Sequence, residues 1–223
     1  MLLKQLILML EGQGDEAAVP GLIQRLIERH AGYDALYMGQ IYRVNGITKI
    51  AKDSGKDFLR YMQMAIKYRD LGAVLLLLDG DAKNNPFDRT KAFCAKEVAC
   101  TLAKIAQEKA RAGDVFSFAA VFAVQEFESW ILAGHPDFRN EMNGKNVEDA
   151  PRNAKGKIKE LTGISYRETL NQVPLTQRIE MEPLLTRQPR VRSFLRLNNA
   201  TRELIEAVRT GKHIATPCPK ERG

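Results

Sequence analysis

The sequence has few of the residues that build disulfide scaffolds and zinc sites. It contains three cysteines and three histidines among 223 residues, and no two cysteines form a close C-x-x-C pair. Such usage is typical of a protein of the reducing cytoplasm that lacks a structural zinc ion. No apolar run approaches the length that spans a bilayer. The opening stretch Met1–Leu10 lacks a small-residue cleavage site, so we interpret it as a buried strand and expect a cytoplasmic protein.

The composition is that of a folded domain with an uneven charge. Apolar residues make up 44% and charged residues 27%, which excludes disorder and collagen-like structure. From Pro151 onward there are 15 Lys and Arg against 7 Asp and Glu, whereas the preceding residues are close to neutral. We expect an α/β domain over residues 1–139 and a basic helical extension over 140–223, packed on the same core. The asymmetry suits a polyanionic partner, and a solvated cationic surface is the open alternative.

Apolar runs alternate with segments of helical period over the first part of the chain. Four runs are strand-like: Gln5–Leu10, Leu36–Val44, Ala73–Leu78 and Val115–Val124. The alternation predicts an α/β fold with a mainly parallel sheet of about four strands flanked by helices. One long helix is expected at Arg89–Arg111, ending at Gly113 as a glycine C-cap. The later segments are helical in period, and the tail from Thr210 is expected to fray.

Acidic residues stand directly after three of the predicted strands. Glu11 follows the first, Asp79 and Asp81 follow the third, and Glu126 and Glu128 follow the fourth. Because the carboxyl ends of parallel strands share one edge of the sheet, we expect these side chains to converge there. Clustered carboxylates repel one another unless a cation lies among them, and ligand sets made only of oxygen suit magnesium or manganese.

A simpler interpretation of such acids is helix capping. An acid in the first turn of a helix is favoured by the helix dipole, and Asp15, Glu16 and Asp88 fit that role well. Glu126 and Glu128 are two apart on a predicted helix, so we expect only one of them to face the site. The convergence of Glu11 with Asp79 and Asp81 at matched strand ends is less easily explained by capping.

These motifs resemble the Toprim domain of topoisomerases, bacterial primases, small maturation ribonucleases and OLD-type nucleases. The resemblance covers about residues 3–133, and Glu11-Gly12-x-x-Asp15 is most similar to the OLD and maturation-nuclease variants. Over most of the chain, the sequence also resembles small bacterial Toprim-like proteins catalogued as a domain of unknown function. The motifs that carry the resemblance are Glu11-Gly12-x-x-Asp15, Asp79-Gly80-Asp81, Glu126-Phe127-Glu128-Ser129-Trp130 and Arg192-Ser193-Phe194.

The resemblance implies roles for the individual acids. Glu11 would be the general acid/base or a metal ligand, Asp79 and Asp81 would bind Mg²⁺ or Mn²⁺, and Asp15 would hold a second ion. Glu126 and Glu128 complete the implied set of metal ligands. No tyrosine is placed as a topoisomerase nucleophile and no primase-type zinc finger is present, which leaves phosphodiester hydrolysis.

Several basic residues are candidates for contacts with nucleic acid. Lys83, Arg192 and Arg196 are the predicted nucleic-acid-binding residues, and the planar guanidinium of the two arginines suits a phosphate. A structural ion pair with the acids at the strand ends is the competing interpretation for both arginines. Arg187 and Arg190 belong to the same basic stretch. The run from Lys155 to Lys159 is compatible either with phosphate contact or with a solvated helix face.

Two functions therefore remain as hypotheses. The first is a metal-dependent nuclease acting on DNA or RNA, expected to be the effector of a multi-protein system such as phage defence with an ATPase partner. The second is a non-enzymatic Toprim-like interaction module that docks a partner protein. Self-association into a homo-oligomer is compatible with either. A receiver-like phosphoacceptor domain is disfavoured, because a glutamate stands where such domains place paired aspartates.

Overall fold

A computed structural model describes residues 2–141, 147–149, 153–186 and 191–217. Its sheet has five strands, all parallel, in the order β2-β1-β3-β4-β5. Their bounds are β1 Lys4–Leu10, β2 Leu36–Arg43, β3 Leu71–Gly80, β4 Ser117–Val124 and β5 Ala215–Thr216. With helices on both faces and a helical C-terminal region, this arrangement fits a Rossmann-like fold, and the predicted α/β class is confirmed.

The helices alternate with the strands up to β4 and then follow one another. Their bounds are α1 Gln13–Arg29, α2 Ile47–Ile50, α3 Lys52–Ala65, α4 Ala95–Ala110, α5 Glu128–Gly134, α6 Ala154–Thr162, α7 Val173–Gln177, α8 Met181–Thr186 and α9 Arg192–Thr210. A 3₁₀ turn covers Gly32–Asp34 and a π-helical turn covers Glu168–Gln172. In the part of the chain that the structure describes, no helix is long and apolar enough to cross a membrane.

The side chains of each strand alternate between two hydrophobic cores. On one face, residues such as Leu8 and Leu75 pack with α1, α5 and α9. On the other face, residues such as Met9 and Leu76 pack with α2, α3 and α4. Both faces of β1, β3 and β4 are therefore buried, which explains why these strands are continuous apolar runs instead of alternating ones.

The structure corrects the prediction at the tail. The segment after Thr210 was expected to fray, but Ala215 and Thr216 form β5 beside Phe118 and Ala119 of β4. A two-residue strand carries no periodicity, so the sequence pattern could not reveal a fifth strand.

The helix predicted at Arg89–Arg111 was too long. It begins only at Ala95, because the side chains of Asn85 and Asp88 accept backbone N–H groups of Phe87 and Thr90 and so form turns. It ends at Arg111 in the left-handed conformation, with φ 59°, and not at the expected glycine cap. The stretch 140–153 is rich in Asn, Glu and Gly, which predicts a surface loop, and it lies mostly outside the described residues.

Candidate carboxylate site

The carboxyl ends of β1, β3 and β4 meet through two hydrogen bonds made by acids. Glu11, directly after β1, accepts the backbone N–H of Asp79 on Oε2 at 3.0 Å. Asp79, near the end of β3, accepts the backbone N–H of Phe127 on Oδ1 at 2.9 Å. Each bond ties one strand end to the next, so Glu11 and Asp79 are held together as expected.

The strand order explains why these two acids meet. β1 and β3 are neighbours in the sheet, while the chain leaves β1 towards β2 on one side and leaves β3 towards β4 on the other. The crevice outside the carboxyl ends at such a switch point is where doubly wound sheets place their binding sites. Glu11 and Asp79 stand at this crevice, and Gly46 approaches Glu11 closely: a Cβ built on Gly46, whose φ is +90°, would lie 3.0 Å from Glu11 Oε1.

Burial and the neighbouring negative charges raise the pKa values of the acids in the cluster. Burial raises the pKa of Glu11, and the charges of Asp81 and Asp15 raise it further. Burial raises the pKa of Asp79 well above its ordinary value, with added repulsion from Asp15, Glu11 and Glu128. These carboxyls therefore interact electrostatically even where no hydrogen bond joins them.

Asp15 is both a helix cap and a member of the cluster. As the third residue of α1, it accepts the backbone N–H of Gly12 on Oδ2 at 3.0 Å, which satisfies one free donor of the helix start. Its other oxygen accepts Nε2 of Gln172 at 2.7 Å. Burial raises its pKa despite these bonds. The capping interpretation thus holds for Asp15 without removing it from the site.

Lys155 brings the compensating positive charge. Its Nζ lies 2.5 Å from Glu168 Oε1 and 3.9 Å from Glu128 Oε1. Burial lowers the pKa of Lys155, but the bond to Glu168 and the charge of Glu128 raise it overall. The same ammonium lowers the pKa values of Glu11 and Asp15, so it acts on the whole cluster.

Glu128 is the most deeply buried acid of the site. It is 2% exposed, and burial raises its pKa from 4.5 to about 7 against the opposing effect of Lys155. The hydroxyl of Tyr166 is buried near Glu128 and makes no hydrogen bond of ordinary geometry with the described residues. Burial raises the pKa of this phenol, and the charge of Glu128 raises it further. One carboxylate oxygen of Glu126, Oε2, is buried and has no hydrogen-bond partner among the described residues. Glu128 is the one of these two acids whose charge acts on Asp79.

Asp81 and Lys83 lie at the exposed rim of the site. Both side chains are exposed in the loop that follows β3. Asp79 and Asp81 were expected to point to the same side, and the structure leaves only Asp79 under cover. In the described ranges, no three acid, histidine or cysteine side chains stand together as a ready metal-binding group.

Arg192 and Arg196 are paired with acids other than those of the cluster. Arg192 contacts Glu148 and Asp149 at 3.4 and 3.5 Å. Arg196 contacts both oxygens of Glu203, at 3.0 and 3.1 Å, and donates to Thr216. The ion-pair interpretation therefore describes both residues, with different acids from those expected. Arg187 and Arg190 lie outside the described residues.

Sequence reasoning missed three residues of the site. Tyr166 and Gln172 lie in no motif, and Lys155 was considered only within a basic run. All three come from the segment after α5, which folds back over the strand ends and against α1. No local pattern could have identified them, because the tertiary fold alone brings this segment to the acids.

Comparison with known proteins defines a family. The family model described as "Domain of unknown function (DUF4276)" matches residues 10–197, so the chain belongs to this family. The match spans every acid of the cluster as well as Lys155, Arg192 and Arg196. No curated protein and no solved structure matches the chain.

Proposed function

We propose that this chain is a metal-dependent nuclease that hydrolyses phosphodiester bonds of DNA or RNA, with a Toprim-like site. The observation that carries the proposal is the group of acids Glu11, Asp15, Asp79 and Glu128, whose pKa values are all raised at the switch point of the sheet. Perturbed acids in a crevice are typical of functional sites. We further propose that the nuclease is the effector of a multi-protein system with an ATPase partner, as in phage defence.

The donor set fits a hard divalent cation. The clustered acids all provide carboxylate oxygens, the ligands that Mg²⁺ and Mn²⁺ prefer. In addition, Oε2 of Glu126 is buried without a hydrogen-bond partner among the described residues. Glu11, Asp79, Asp81 and Glu128 would hold the ion, and Asp15 would take part in a second one. Small side-chain rotations are required, because the described acids do not stand in a ready ligating group. The cation would supply Lewis-acid stabilisation of the phosphoryl oxygens and a bound water of lowered pKa.

The residues of the chain would divide the remaining work. Glu11 would act as the general base, and its hydrogen bond to the backbone of β3 fixes its position. Lys155 would contact a non-bridging phosphate oxygen, because its ammonium is a positive charge at the carboxylate cluster, 3.9 Å from Glu128. Lys83, exposed at the rim, would contact the next phosphate of the strand.

Asp79→Asn tests the proposed metal site. The asparagine carbonyl can still accept the Phe127 N–H, whereas the repelling charge is gone. We expect the variant to fold, to melt above the parent without metal, and to lose Mn²⁺ binding by calorimetry. Asp57→Asn, which removes an acid of α3 in a loose contact of 3.8 Å with Arg60, is the matched control and should bind Mn²⁺ as the parent does. Equal Mn²⁺ affinity in Asp79→Asn and the parent would contradict the assignment.

Glu11→Gln tests the chemistry. The change keeps the acceptor for the Asp79 N–H but removes the base, so cleavage of DNA or RNA with Mg²⁺ should fall by about 100-fold or more while substrate binding persists. The assay is run on the purified chain and on the chain in complex with the proposed ATPase partner. Activity that survives both Glu11→Gln and Asp79→Asn belongs to another chain.

The non-enzymatic interaction module is the second candidate. It is favoured by the lack, in the described parts of the chain, of acids already positioned as a ligand group. In that case the parent binds no Mn²⁺ and cleaves nothing, and Asp79→Asn only stabilises the fold.

A further inference from the structure

A second groove lies beside the carboxylate site, at the outer edge of β4. It has a volume of about 440 Å³, within the range of small-ligand pockets. Its apolar lining comes from α4 and from β4, chiefly Ala95, Ala99, Phe122 and Val124. The end of β4 links the two sites, because Phe127, only three residues after Val124, donates its N–H to Asp79.

Part of the strand edge in this groove has no partner strand among the described residues. In residues 2–217, as far as they are described, β5 pairs only with Phe118 and Ala119, whereas β4 continues to Val124. Phe118 donates its N–H to Ile214 at 2.7 Å, and backbone groups alternate along a strand, so those of Phe122 face the same edge. Among the described residues no strand covers this part of the edge, which leaves backbone donors and acceptors for a ligand.

The charged residues that the structure describes in the lining of the groove are all basic. They are Lys96, Arg192 and Arg196. Lys96 is exposed and has no ion pair among the described residues. The side chain of Arg192 is 72% exposed, and its guanidinium contacts acids of the described residues at 3.4 and 3.5 Å. Arg196 is held more firmly, yet its Nε is buried without an acceptor. An anionic ligand with an apolar body suits this combination.

We propose that the groove binds one unpaired nucleotide of a single-stranded nucleic acid whose phosphodiester backbone continues into the carboxylate site. The inference rests on the proposed nuclease function and specifies its substrate as a single strand. The apolar lining takes the base, the free backbone groups of β4 hydrogen-bond its edge, and Lys96 and Arg192 contact the flanking phosphates. A base stacked within a duplex cannot enter such a groove.

An extended acidic peptide added to β4 is the competing occupant, because the open strand edge suits it as well. Continuity with the carboxylate site favours nucleic acid: both sites lie at the same end of β4, so one strand spans them. The experiment below separates the two occupants.

Two variants of the full chain test the groove with a fluorescein-labelled twelve-residue oligothymidylate, without divalent metal so that no cleavage occurs. Lys96→Ala with Arg192→Ala removes two phosphate contacts, and Ala95→Trp fills the groove without changing charge. Arg69→Ala with Lys109→Ala is the matched control, since both residues are exposed and line a different groove, near the amino ends of β3 and β4.

We expect the parent to bind the single strand at least tenfold more tightly than a duplex of the same length. The Lys96/Arg192 variant should make the log–log salt slope shallower by about 1.4, roughly 0.7 for each lost contact. Ala95→Trp should weaken single-strand binding by roughly tenfold and leave the salt slope unchanged, because it removes base contacts only. The control variant should weaken binding less than twofold.

The proposal is overturned if both groove variants bind the oligothymidylate like the control, or if duplex binds as tightly as single strand. Groove variants that lose binding to the partner protein in pull-down while keeping oligothymidylate binding would assign the groove to a peptide instead. The nuclease hypothesis fails separately: cleavage that is absent in the parent, with groove-dependent binding intact, contradicts the proposed activity alone. Cleavage and binding that are unaffected by the groove variants contradict the groove alone.

Discussion

Buried acids are held at the carboxyl edge by backbone N–H groups and one ammonium. Glu11 and Asp79 each accept one N–H from the neighbouring strand end, and Lys155 lies near Glu128. These partners offset only part of the cost of burial, because all three carboxyl pKa values remain raised. Burial without full compensation costs stability, which a fold retains where the charge serves binding or catalysis.

The pH dependence of stability should report this cost at Glu128. Its pKa is about 7 in the folded chain against an ordinary 4.5. Between these values the folded chain holds a proton that the unfolded chain has released, so the free energy of unfolding falls as pH rises and levels off above about 7. Glu128→Gln should remove this loss and stabilise the chain at pH 8 by on the order of 2 kcal/mol, with little effect at pH 4.5.

Thermal unfolding of parent and variant across that pH range measures the difference. Glu160→Gln, an exposed partner of Lys157 on α6, is the control and should show no such dependence. A stability difference between Glu128→Gln and the parent that stays constant from pH 4.5 to 8 would show that Glu128 does not titrate in this range.

At the scale of elements, α1 and the π-helical turn Glu168–Gln172 form the joint that closes the site. The side-chain amide of Gln172 donates to Asp15 across this joint. The side-chain oxygen of Gln172, Oε1, is buried and accepts no hydrogen bond from the described residues. Gly14 permits the close approach, since a Cβ built there would lie 2.0 Å from Gln172 Oε1 and 2.9 Å from Glu168 Cβ. Single π-helical turns of this kind often occur at functional sites.

Two glycine substitutions in α1 test the joint. Gly14→Ala should force the turn away from the helix and lower the free energy of unfolding by about 1–3 kcal/mol. Gly21→Ala in the same helix meets no atom within 4 Å and should instead raise stability by up to about 1 kcal/mol through helix propensity. Denaturant titration measures both changes. If Gly14→Ala proved as stabilising as Gly21→Ala, the π-helical turn would not be packed as described.

At the scale of the whole molecule, the two parts of the chain share one core. Phe194, Leu197 and Leu204 of α9 pack in the same cluster as Leu8 and Leu75 of the sheet. β5 then adds the last residues of the described chain to the sheet edge. The basic region beyond residue 139 is therefore a structural layer of the domain as well as the source of Lys155.

A fragment of residues 1–139 should consequently fail to fold. Without α9, the part of the sheet face that this helix covers, over β3 and β4, would be exposed to water, and an apolar area of that size cannot remain solvated in a stable monomer. We expect the fragment to aggregate or to show no cooperative melting by circular dichroism, whereas the full chain melts cooperatively. A soluble fragment that melts cooperatively would show that the two parts are independent domains.

The parallel α/β class and the position of the acids at the ends of the strands could be predicted from the sequence alone. Buried strands such as Ala73–Leu78 are visible as apolar runs because both of their faces are covered, and an acid after such a run must stand at the carboxyl edge of a parallel sheet. The meeting of Glu11 with Asp79 was inferred from this local information.

The residues that complete the site, and the ion pairs of the two arginines, could be identified only from the three-dimensional structure. Lys155, Tyr166 and Gln172 reach the acids from a segment more than 140 residues after Glu11, and no short-range pattern encodes a contact at that separation. Arg192 pairs with Glu148, which lies 44 residues earlier in the chain, whereas Arg196 pairs with Glu203 of the same helix α9. Periodicity reports which face of an element is buried; the partner that covers the face depends on how the elements assemble in three dimensions.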